Sequence, residues 1–417
     1  MNTLGAISVA IVDCEHKTAP VGEGYAWSVG TKAMKNGQIV FDACKPVSIE
    51  TYEEWTRRMR PQQGDLILAR EAPVGQVVRV PQEPRVCLGQ RTVLIRPNPA
   101  VVEPRFLHYW LLGPAAQQVM TSIAAGATVP HLNVADIRAL DISEMPRSLT
   151  QQAFVAETLG SIDDLIENNR RRVEVLEEMA RAIYREWFVY FRYPGHEDVP
   201  LVDSPLGPIP ESWVQGVLGD LAEIDRKNIQ PSKSPEELFD HYSIPAFDNG
   251  QRPAVDVGAT IKSGKYLLSS QAVLVSKLNP RIDRVWFADP SEERRSVCST
   301  EFLVLRPTAR SSLDHLYLLS RDAVFRNQLT ALSGGTSGSH QRAKPKDFLN
   351  LPVQVPPTDL VRDLDDAVGD QLRCARLLRC QSEQVACLRD LLLPKLVTGQ
   401  IDVSHLDIDA LTEAATA

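Results

Sequence analysis

The chain has 417 residues, 43% of them hydrophobic, and a formal charge of −8 from 45 Lys and Arg against 53 Asp and Glu. That length predicts two or three folded domains. No apolar run is long enough to span a bilayer and the apolar start has no basic leader, so the chain reads as cytoplasmic. Its seven cysteines are odd in number with no Cys-x-x-Cys pair, which argues against a disulfide framework and a zinc site, and Cys380 and Cys387 read as buried filler. The acidic total does not favour a protein that binds DNA tightly alone. Phosphate contacts need local Lys and Arg, however, and partners can supply basic surface.

Residues 1–147 read as a small mixed globule. Short β-type runs such as LILAR, VVRV and TVLIRP alternate with Gly and Pro. A short helix, PRFLHYWLLGPAAQQVMTSIA, follows, then a Gly126-Ala127-Thr128 turn. The expected sheet is mostly antiparallel with helices on one side. Arg70 closes LILAR beside a Gly-containing loop, where its planar fork could meet guanine or phosphate, or else pair with Glu71 or Glu83. Gln90 and Arg91 are residue types that pair bidentately with adenine and guanine. His16, Lys17 and Thr18 form a polar stretch that suits phosphates or base edges, or a plain turn. Cys14 and His16 could share a face, but no third group or oxyanion site completes a catalytic set.

Residues 148–192 read as one long helix. Val155, Leu159, Ile162, Ile166, Asn169, Val173, Leu176, Ala180, Ile183 and Trp187 alternate steps of four and three, the heptad seam of a helix packed along a partner. Ser148 or Thr150 caps the start and Pro194-Gly195 is the expected stop. Asn169, polar and within the seam, suits a register-fixing role. Arg170, Arg171 and Arg172 read as a solvated, ion-paired face. Residues 193–212 carry five prolines and predict an extended connector.

Residues 213–357 repeat the first globule. Leu218-Gly219 matches Leu4-Gly5, and SQAVLVS matches GDLILAR. CSTEFLVLRP matches CLGQRTVLIRP, and LDHLYLLSRDAVFRNQLTALS matches the first short helix. Thr300-Glu301 stands where Gln90-Arg91-Thr92 stands. Lys277, Arg281 and Arg284 crowd one loop. A Gly-Thr turn recurs, with Thr336, Ser337, Ser339 and Arg342 after small residues that let backbone approach phosphate. Thr128, His131 and Asn133 hold that place in the first copy. Residues 358–397 read as a second long helix whose seam includes Leu364, Leu378, Val385, Leu388 and Leu392. Leu176 and Ile183 align with Val385 and Leu392 at a constant offset. Residues 398–417 form a short tail.

The stretch IENNRRRVEVLEEMARAIYREWFVYFRYPGHE resembles the central conserved region of type I restriction–modification specificity subunits. The Asp13–Thr18 loop, the Gly-Thr turns and LVTGQIDVS resemble other parts of that family, so the likeness covers the whole chain. It implies an α+β fold: two small mixed α/β target-recognition globules joined by two long antiparallel coiled-coil helices, related by a pseudo-two-fold internal repeat. It implies a non-catalytic DNA-recognition subunit, each globule reading half of a bipartite target. It also implies two methylating subunits, which carry S-adenosylmethionine, and two endonuclease/translocase subunits. This chain itself is expected to hold no cofactor and no metal. A coiled-coil adaptor for protein partners is the competing expectation.

Overall fold

A computed structural model describes residues 2–125, 130–205, 207–332 and 344–401. The chain forms two compact units, residues 1–168 with 384–417, and residues 169–383. Each unit thus contains one globule and a portion of both long helices.

In the first unit a four-stranded antiparallel sheet has the order Ser8–Asp13, Thr92–Pro97, Leu66–Ala69, Val77–Arg79. Alternation along the strands divides two cores. Leu66, Leu68, Val93 and Ile95 pack with Phe106, Leu107 and Trp110 of the helical face. Ile67, Ala69 and Leu94 pack on the opposite side with Val29, Val86 and Leu88. Both faces are covered, so Leu66–Ala69 is apolar throughout, and each full burial of a Leu or Ile stabilises by about 1.5–3 kcal/mol. A smaller sheet orders Lys45–Val47, Ala26–Val29, Val86–Leu88, the last two paired in parallel.

The second unit repeats the four-stranded sheet strand for strand: Ala222–Asp225, Phe302–Pro307, Ala272–Ser276, Val285–Ala288. Its second sheet departs from the first copy. Five strands run Asn228–Ile229, Lys265–Leu268, Arg295–Ser299, Leu238–Tyr242, Ala254–Val257. Residues 238–242 and 295–299 pair in parallel.

The single short helix expected after each sheet is two helices. In the first unit they are Pro104–Leu112 and Pro114–Ala124, in the second Leu313–Arg321 and Ala323–Ala331. Pro114 forces the residue before it out of helical geometry. In the second copy Asp322 makes the same break by accepting from the backbone N–H groups of Val324 and Phe325. The caps Glu103 and Ser312, the breaks Gly113 and Asp322, and the long-helix starts Leu149 and Thr358 correspond at one constant offset.

The long helices are Leu149–Tyr184 and Thr358–Val397. Ser148 Oγ accepts from Gln151 N at 3.3 Å at the start of the first. Its end is earlier than Pro194-Gly195: Arg185–Val189 widens into a π turn, and Phe191 turns left-handed at φ 59°. In the first unit Val155 and Leu159 share a core with Leu392, Leu393, Leu396 and Val397, and Arg389 Nη1 donates to Asp163 Oδ1 at 2.8 Å. In the second, Val173 and Leu176 pack with Ala375 and Leu378, and Asn169 Nδ2 donates to Gln381 Oε1 at 3.0 Å. Further on, Ala180 and Tyr184 share a core with Leu364, Val368 and Leu372.

Leu159, Asn169, Val173 and Leu378 are buried. Ile162, Ile166, Leu176, Ile183, Val385 and Leu392 are half-buried. Leu388 is exposed, contrary to its expected place in the seam. Cys380 and Cys387 are exposed rather than buried filler. They follow Leu378 and Val385 by two residues, roughly 200° around the helix, which turns them to the far side. Arg170 pairs with Glu174 on an exposed face, as expected for a solvated stripe.

The Pro-rich connector is not extended. Leu201–Val202 pairs with Ile209–Pro210 as a small hairpin, and Tyr193, Ile209 and Trp213 join the core of the second unit. No helix among the described residues is long and apolar enough to cross a membrane.

Candidate nucleic-acid interface

In the first unit, four segments distant in sequence meet at one edge of the four-stranded sheet. They are the end of strand Ser8–Asp13, the end of Leu66–Ala69, the turn before Thr92–Pro97, and residues 131–133. Arg70 N donates to Arg91 O at 2.8 Å, and Leu132 N donates to Arg70 O at 3.0 Å. These backbone bonds fix the segments before any side chain contributes.

Arg70 is not presented outward. Its side chain is only 14% exposed. Nη1 donates to both Asp13 oxygens at 2.8 and 2.9 Å, and Nε donates to Leu132 O at 2.7 Å. The guanidinium therefore braces the edge, and its partner is Asp13 rather than Glu71 or Glu83. A fork already satisfied by a carboxylate and a carbonyl has little left for a base.

The outward groups are polar and exposed. His16 Nε2 lies 3.0 Å from Asp13 Oδ2. Gln90 Nε2 donates to His16 O at 3.0 Å, and its Oε1 accepts from Thr18 Oγ1 at 3.1 Å. Lys17 is exposed beside them. Arg91 holds a left-handed φ of 68° and lies 3.5 Å from Glu71. His16, Thr18 and Gln90 are thus joined by hydrogen bonds, with Arg91 next in the chain. His131 is half-buried beside Leu132. Asn133 starts the helix Val134–Ala139, its N–H donating to Asp136 Oδ2 at 3.2 Å, which gives it a structural role of its own. Thr128, Thr336, Ser337, Ser339 and Arg342 lie outside the described residues.

Asp13, Cys14 and His16 place their possible ligand atoms within 4.8 Å of one another. A cation there would have to displace Arg70 from both oxygens of Asp13, and Cys14 is buried.

Sequence reading missed two cations at this edge. Arg57 Nη2 pairs with Glu15 Oε2 at 3.0 Å, and Arg58 donates to Asp13 O at 3.3 Å. Both are exposed. The run TRRMR was the available signal, hidden because it follows a helix rather than the loop it joins in space.

In the second unit, Arg284 is held bidentately by Asp248, at 2.7 and 2.8 Å. Lys277 N donates to Glu301 O at 3.0 Å, which ties the loop after Ala272–Ser276 to the turn before Phe302–Pro307. Arg281 is exposed, and its carbonyl accepts from Arg326 Nη2 at 2.8 Å. Arg326, on the helix Ala323–Ala331, was not anticipated.

Both edges present side chains rich in donors on a rigid sheet, with acids engaged by internal arginines. That arrangement suits hydrogen bonding to phosphate oxygens and base edges.

No family model matches the chain. It is 23% identical over 377 residues to the type I restriction enzyme MjaIX specificity subunit of Methanocaldococcus jannaschii, covering 86% of this chain and 82% of that one. The putative type I restriction enzyme MjaX specificity subunit of the same organism is 27% identical over 355 residues, covering 82% and 79%. The crystal structure of the type I restriction–modification S subunit from M. genitalium superposes with a TM-score of 0.57 over 95% of both chains, at 13% identity, a likeness of fold. The resemblance carried by the central stretch therefore extends along nearly the whole chain, which is a homologue of the type I restriction–modification specificity subunits.

Proposed function

We propose that the chain is the DNA sequence-recognition subunit of a type I restriction–modification complex. Each globule reads one half of a bipartite target. The two long helices pair antiparallel as a coiled-coil spacer that sets the distance between half-sites. The observation that carries this is the uneven repeat: the four-stranded sheet and its helices recur strand for strand, while the second sheets and the exposed polar sets differ. A duplicated scaffold with divergent edges is what two readers of different half-sites need.

On this reading the chain is non-catalytic and works inside the cell. Methylating subunits carrying S-adenosylmethionine dock on the helices, and endonuclease/translocase subunits complete the assembly. The acidic total fits a subunit that shares DNA contact with those partners.

The test is to map methylated bases in DNA from cells carrying this subunit and its partners, and to measure affinity against salt. A bipartite motif and a steep fall of affinity with salt are expected. A protein adaptor would give neither.

A further inference from the structure

The constant offset between the copies allows each residue that docks a globule on the long helices to be compared with its counterpart. In the first unit Asp163 accepts from Tyr109 Oη at 2.6 Å and from Arg389 Nη1 at 2.8 Å. The counterparts of Asp163, Tyr109 and Arg389 are Leu372, Leu318 and Ala180, all apolar and buried in the second unit. There Glu177 accepts from Tyr317 Oη at 2.9 Å and Arg321 Nη1 at 2.8 Å, and pairs with Arg379 at 2.7 Å. The counterparts of Glu177, Tyr317 and Arg321 are Ala386, His108 and Leu112. A third pair is inverted in sign. Arg105 binds Gly160 O and Asp164 at 2.9 and 2.8 Å, whereas Asp314, its counterpart, lies 3.3 Å from Arg376. The counterpart of Asp164 is Arg373.

We infer that these mismatched polar sets act as keys that make the first long helix pair with the second of the same chain, and exclude pairing of like helices between two chains. The repeat makes the wrong pairing geometrically available, since either helix could pack on a second copy of itself. If first helix met first helix, Asp163 would face Ala180 in place of Arg389, and Glu177 would lose Arg321 and the Tyr317 hydroxyl. If second met second, Arg389 would face Leu372 and keep only its neighbour Asp390, and Arg321 would lose Glu177 and keep only Asp283. Asn169 and Gln381, which bond each other, would face Arg172 and Leu378 instead. Each wrong arrangement takes a partly buried charge away from its partner across the helix pair, and removing one partner of such a pair costs more than the intact pair gains. The keys therefore select the partner more than they add stability. The inference concerns chain pairing and does not depend on which DNA is read.

The experiment uses the full-length chain and reads its mass distribution by native mass spectrometry and sedimentation equilibrium. One variant erases both keys by giving each copy the other's apolar identities: Asp163→Leu, Tyr109→Leu, Arg389→Ala, Glu177→Ala, Tyr317→His and Arg321→Leu. The wild type is expected to be monomeric. The erased variant should show at least a tenfold larger dimer share, reverting when either key is restored. If it fails to fold, a charge-exchange pair decides. Arg389→Asp alone should dimerise or aggregate, and Asp163→Arg with Arg389→Asp should return to monomer. A monomeric erased variant, or an exchange pair in which single and double behave alike, overturns the inference.

Discussion

Asn169 Nδ2 donates to Gln381 Oε1 across 3.0 Å, joining the two long helices through a neutral hydrogen bond in an otherwise apolar stripe. The Asn169 Oδ1 is itself buried without a hydrogen-bond partner among the described residues. A half-satisfied amide lowers stability while it fixes register. Asn169→Leu is therefore expected to raise stability by about 1 kcal/mol. A thermal melt showing a lower midpoint would contradict this.

Seam substitutions should rank by burial. Leu159 is fully buried in the first unit's core, whereas Ile166 and Leu176 are half-buried. A carboxylate at 159 would be buried among apolar side chains and away from water, so Leu159→Asp should cost several kcal/mol. Ile166→Asp and Leu176→Asp should cost less, since the new carboxylate reaches solvent. Urea unfolding of the three variants tests the order, and equal losses would show that burial does not set it.

The two arginine types at the first edge should separate in assay. Arg70 braces Asp13 and Leu132, so Arg70→Ala leaves Asp13 without its cation and should lose about 2–3 kcal/mol of stability. Gln90→Ala and Arg91→Ala, at exposed positions, should leave melting nearly unchanged. If either reads a base, its loss should relax one position of the first half-site by about 1–3 kcal/mol. Methylation mapping beside a thermal melt distinguishes the two classes. Unaltered melting of Arg70→Ala would remove its bracing role.

Stability should fall with acid in a defined window. His108 and His315 are buried, and burial pushes both imidazoles down to about 4. The unfolded chain takes up a proton near 6.5. Protonation thus favours unfolding: the stability from neutral burial is complete above about pH 6.5 and is lost as pH falls toward 4. The slope is at most about 1.4 kcal/mol per pH unit for each histidine. Glu177 adds to the same trend. Burial alone would raise its pKa, but Arg379 and Arg321 outweigh that and hold it below the usual range. His315→Gln should flatten the pH dependence of unfolding, and an unchanged slope would remove His315 from the account.

The repeat was legible because its strands are short apolar runs at matching places, and both four-stranded sheets form from them. The long helices were legible from their heptads. What escaped was decided at long range. Arg70 looked available because Asp13, its partner, lies on another strand. Cys380 looked buried because periodicity gives a stripe's spacing better than its rotation about the axis. The helix break at Asp322 depended on a cap rather than a Pro or Gly, and the connector's hairpin on Trp213 and Ile209 finding a core.

Gly160 sits inside the first long helix, where glycine costs about 1 kcal/mol relative to alanine. A Cβ at that position would collide with the Arg105 guanidinium, which lies flat on the backbone and donates to Gly160 O. The missing methyl is therefore a berth for the neighbouring globule's arginine. An alanine there would make a better helix in isolation while evicting what is moored to it, since the guanidinium would have to swing away and release Gly160 O.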